Sequence, residues 1–60
     1  MKNEAIKTHI ETLSADARAD IAVGRWDEVM TDRLYSACGA ETVEEMRSAR
    51  DAAEQLANAL

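Results

Sequence analysis

The chain has no proline and no phenylalanine, a single cysteine, a single histidine and two glycines, and only ten of its 60 residues are Leu, Ile or Val. Each shortage excludes something. With no proline nothing breaks a helix outright, and with twelve alanines, the strongest helix formers, the backbone favours helix nearly throughout. One thiol, Cys38, cannot make an internal disulfide and suits a reducing compartment. Scarce bulky apolar matter is the more serious lack. Leu, Ile, Val and Phe together fall below the roughly 20% at which disorder becomes a serious alternative. A domain this small also hides only about 60% of its unfolded surface. With no internal disulfide possible and no metal expected, association with a second copy is the expected means of holding the helices together.

The charge is lopsided as well. Seven basic residues face twelve acidic ones, net −5. Phosphate backbones and anionic membrane surfaces are bound by clustered Lys and Arg, so neither nucleic acid nor a membrane is an expected partner. No apolar run approaches the roughly 20 residues that span a bilayer. Met1-Lys2-Asn3-Glu4 lacks the apolar stretch of a signal peptide, and a cytoplasmic location is expected.

What is present are helix boundaries. Gly39 suits the left-handed residue that ends a helix, and Thr42 with Glu45 three residues on is a capping box. A last helix is therefore expected from Val43 to about Asn58, with Val43, Met46, Ala49, Ala53, Leu56 and Leu60 in one stripe. Arg47–Asp51 and Arg50–Glu54 have the spacing of i,i+4 ion pairs on its other side. A middle helix is expected from about Trp26 to Cys38, carrying Trp26, Val29, Met30, Leu34 and Ala37 on one face with Arg33 beside it. Before it, Ile6, Ile10, Leu13, Ala17 and Ile21 would fit one long helix. Ser14 is nonetheless a good N-cap, with Asp16 in the following turn. The favoured division is Asn3–Leu13, a bend at Ser14, and Ala15–Val23, with Gly24 as a turn or a weak point.

The candidate sites are few. His9 has no second ligand one turn away, and no C-x-x-C or H-x-x-x-H pair exists, so no metal or other cofactor is expected. Cys38 lies near a helix C-terminus, where the dipole opposes a thiolate, and reads as a small packing residue rather than a nucleophile. The acidic residues could supply a catalytic pair only inside a cleft, for which a chain of this size has little volume. Ala15–Tyr35 could be drawn as a helix-turn-helix about Gly24, but its second helix would present Asp27, Glu28 and Asp32 to phosphates. No G-x-G-x-x-G or G-x-x-x-x-G-K phosphate loop occurs.

The expectation is an all-α bundle of three to four short helices, one domain spanning residues 1–60, completed by homo-oligomerisation. The contact would use Ile6, Ile10 and Leu13, Trp26, Met30 and Leu34, and Met46, Ala53 and Leu56. Function would be non-enzymatic: an adaptor, regulator or inhibitor, of the size and charge of phage accessory proteins, offering Asp27, Glu28, Asp32, Glu44 and Glu45 to another, basic protein. Two alternatives are a small-molecule or nucleotide sequesterer, with a pocket between subunits around Trp26, Arg25 and Arg33, and a small DNA-binding regulator.

Overall fold

A computed structural model describes residues 2–60. Four helices follow one another, α1 (Lys2–Thr12), α2 (Ala15–Ala22), α3 (Glu28–Cys38) and α4 (Val43–Ala59). Short local signals set the boundaries of α2 and α3 and the start of α4. Ser14 accepts the Ala17 N–H and opens α2, so residues 2–22 form two helices with a break at Leu13–Ser14. Thr42 and Glu45 cap α4 reciprocally: the Thr42 hydroxyl accepts the Glu45 N–H at 3.1 Å, and Glu45 Oε1 accepts the Thr42 N–H at 3.3 Å. Gly39, at φ 70°, ends α3 in the left-handed conformation.

Gly24 is a true stop. At φ 77° it lets its own N–H reach the Ile21 carbonyl at 3.0 Å and the Arg25 N–H reach the Asp20 carbonyl at 2.8 Å. Those two bonds are the Schellman closure of α2, which needs a left-handed residue at that position.

The middle helix begins later than its apolar pattern implies. Asp27 is the N-cap, accepting the Met30 N–H at 2.7 Å, and α3 starts at Glu28. Trp26 therefore stands in the α2–α3 connection. The cause is local: an Asp carboxylate satisfying an otherwise unpaired amide competes successfully with one more turn of helix.

The core is a cluster of Ile6, Ile10, Ile21, Leu34, Ala49 and Ala53, all buried. Leu13, Trp26, Met30, Tyr35, Cys38, Ala52, Leu56 and Ala57 are half-buried around it. α4 packs against each of the other three helices, and α1 also packs on α3. The alanines in the α4 stripe allow this, because a methyl group at Ala49 and Ala53 lets neighbouring backbones come close. The ends of that stripe do not follow: Val43 and Leu60 are 69% and 56% exposed. The radius of gyration, 10.0 Å, matches the ~10.4 Å of a compact domain of this length. No helix among the described residues is long and apolar enough to cross a membrane.

Candidate functional site

One row on α4 deals with the α2–α3 connection. Arg50, Glu54 and Asn58 are spaced four apart and so stack along one side of the helix. Asn58 donates from Nδ2 to the Ala22 carbonyl at 3.0 Å and to the Glu54 carbonyl at 2.9 Å, satisfying a carbonyl left open at the end of α2. Glu54 Oε2 accepts the Trp26 Nε1–H at 2.8 Å, and the Arg50 guanidinium lies over the indole, 5.3 Å from its centroid. The two ends of the expected Arg50–Glu54 pair are thus both turned to Trp26. Its ring is half-buried against the core, with its polar edge and one face taken up within its own chain.

Of the residues in the nucleotide-pocket expectation, only Trp26 takes part in this row. The cation on Trp26 is Arg50, while Arg25 is exposed in the connection and Arg33 is exposed on α3. Arg33 lies close enough to His9 to act on it. Burial lowers the His9 pKa below its usual 6.5, and the Arg33 charge lowers it further.

The second feature is a groove between α1 and α4. At one end a cavity of about 330 Å³ is lined by Asn3, Ile6, Cys38, Glu44, Glu45, Ser48 and Ala49. Asn3 also borders a second cavity of about 350 Å³, formed with Ala52, Gln55, Leu56 and Ala59. Both are open to solvent on one side. The Cys38 thiol contacts the Tyr35 carbonyl at 3.8 Å. The Glu45 carboxylate is held by the α4 cap, whereas Glu44 is exposed at the mouth.

The expected contact residues divide by depth. Ile6, Ile10 and Leu34 are interior to the single chain. Leu13, Trp26, Met30, Met46 and Leu56 are half-buried, and of these Leu56 borders the groove. The acidic residues fall in two groups on the surface. Asp27, Glu28 and Asp32 stand at the start of α3, and Glu44 and Glu45 meet Cys38 at its end, roughly 15 Å of helix away. Asp27 is engaged as a cap, while Glu28 and Asp32 lie exposed with Val29, 58% exposed, between them. Among the described residues no group of three or more His, Cys, Asp or Glu is placed to hold a metal ion.

Sequence reasoning did not single out Asn3, Ser48, Ala52 and Gln55 for the groove, or Asn58 for the α4 row. Their signal is weak, since each is a small or polar residue whose role depends on which helix lies opposite. Compared with protein-family models, with curated proteins and with solved structures, the chain matches none.

Proposed function

We propose that this chain is a non-enzymatic protein-binding module, an adaptor, regulator or inhibitor that engages a basic protein through its acidic helical surface. The observation that carries the reading is the placement of Glu28, Asp32 and Glu44. All three are exposed on helices whose opposite faces are committed to the core, and Glu44 stands at the mouth of a groove with an apolar floor. Fixed helices carrying unburied carboxylates attract and orient a cationic partner more than they hold it, and contact with the apolar floor then supplies affinity.

Tagged protein exposed to extract of its native host tests this. The charge-reversed triple variant Glu28→Lys, Asp32→Lys, Glu44→Lys should lose a specific partner that the parent chain retains. Identical captured sets for the two would count against the acidic surface.

We also infer that two copies associate, away from the groove. Of the ten Leu, Ile and Val residues, four remain exposed: Val23, Val29, Val43 and Leu60. Leu60 joins Ala15, Ala19, Ala22 and Ala57 around a shallow depression of about 240 Å³ between α2 and α4, and Val23, 70% exposed, follows Ala22 in the chain. Small residues there permit close backbone approach, and among the described residues Arg18 is the only charged one in the lining. A second copy on this face would remove from water the apolar side chains that one chain leaves out.

A further inference from the structure

We propose that the α1–α4 groove receives an amphipathic helix from a basic protein, lying along α4 with its lysines or arginines over the Glu41/Glu44 end. This rests on the protein-binding reading above and adds to it a location and a polarity.

The groove has a length. Its two cavities share Asn3 as a lining residue, and their α4 linings run from Glu44 to Ala59. At 1.5 Å per residue that is about 22 Å, the length of a helix of about fifteen residues. It also has a floor suited to another helix. Ile6, Ala49, Ala52 and Leu56 are apolar, and the two alanines leave room for a partner's larger side chains. A helix laid there would insert an i, i+3/i+4, i+7 row.

Charge chooses the occupant and its direction. Glu41 and Glu44 are exposed at one end: Glu44 lines the cavity, and the backbone N–H of Glu41 lies 3.4 Å from Oε1 of Glu45, another lining residue. The other end has uncharged Gln55 between Ala52 and Ala59. A basic cluster is therefore attracted at one end only. A second copy of this chain, itself at net −5, is a poorer match than a cationic helix.

The test is titration of the ¹⁵N-labelled full chain with a synthetic helix of about fifteen residues, Leu and Ala on one face and Lys at one end. The control is the same peptide with Glu for Lys. The expected result is saturable amide shifts at Ser48, Ala52 and Ala59 with the Lys peptide and none with the Glu peptide. Ser48→Arg, placing a long charged side chain across the apolar floor from an exposed position, should weaken binding about tenfold. Glu44→Lys should weaken it about threefold at low salt and less at high salt. Circular dichroism checks that both variants fold; should Ser48→Arg fail to, the Glu44→Lys variant and the peptide pair still decide.

Shifts confined to the Glu28/Asp32 region would overturn the groove while leaving the acidic-surface reading intact. Equal binding of both peptides, or no saturable shift with either, would overturn the proposal. So would peptide-free shifts at Ser48, Ala52 and Ala59 that grow with protein concentration, since these place a second copy in the groove.

Discussion

The indole Nε1 of Trp26 donates to Oε2 of Glu54 at 2.8 Å, a bond between residues 28 apart in sequence that ties the α2–α3 connection to α4. With Arg50 on the ring and Asn58 on the Ala22 carbonyl, it makes α4 the element that fixes how the first half of the chain meets the second.

Removing that tie separates its polar part from its apolar part. Trp26→Phe keeps an aromatic ring and strands the Glu54 carboxylate without its donor, and should cost about 1 kcal/mol. Trp26→Ala loses the ring as well and should cost about 3 kcal/mol, a large share of the stability of so small a domain. Urea unfolding followed by far-ultraviolet circular dichroism measures both. Equal losses would mean that the hydrogen bond carries the whole effect and the ring's packing adds nothing.

The same geometry bears on ligand binding at Trp26. One ring face meets Arg50, and the nitrogen is occupied by Glu54. Tryptophan emission should then be unchanged across a panel of nucleotides. Saturable quenching would instead restore the sequestering pocket as the better reading.

The caps can be tested singly. Thr42→Ala and Asp27→Ala each leave an amide at a helix start without its acceptor and should each destabilise by about 1 kcal/mol. Asp27→Asn should cost less than Asp27→Ala, because the amide oxygen can still accept. Thermal melts of the three variants give the ordering.

These caps also show what the sequence made legible. Ser14, Thr42 with Glu45, and Gly39 act within a few residues, and the boundaries they mark are the ones observed. Asp27 was equally local, but the apolar spacing from Trp26 through Leu34 masked it by suggesting one more turn. The α4 row was out of reach for another reason. At i,i+4 spacing Arg50 and Glu54 read as partners to each other, and only the packing of the α2–α3 connection on α4 offers them the indole. Ile21 was legible as part of a stripe, yet its place in the interior follows from α2 folding back onto α4, which periodicity along one helix does not contain. The groove depends on which flank of α4 is left uncovered by α1, a tertiary property.

His9 should make stability depend on pH. Its folded pKa lies below the 6.5 of the unfolded chain, because burial and the nearby Arg33 both disfavour the imidazolium. The unfolded state then binds more protons as pH falls through 6.5 toward the folded value, so this contribution is complete above 6.5 and is lost below it. His9→Gln should flatten the fall in midpoint temperature between neutral pH and about pH 5.5, and Arg33→Gln should reduce it in part. An unchanged slope in both variants would show that other groups set it.

The proposed association of two copies through exposed Val23 and Leu60 is tested most directly by the molecular mass in solution over a wide concentration range. Sedimentation equilibrium should give a mass above 6.6 kDa at high concentration, falling on dilution, with Leu60→Lys shifting the balance to single chains. A constant 6.6 kDa at every concentration, with a sharp reversible melt, would contradict it.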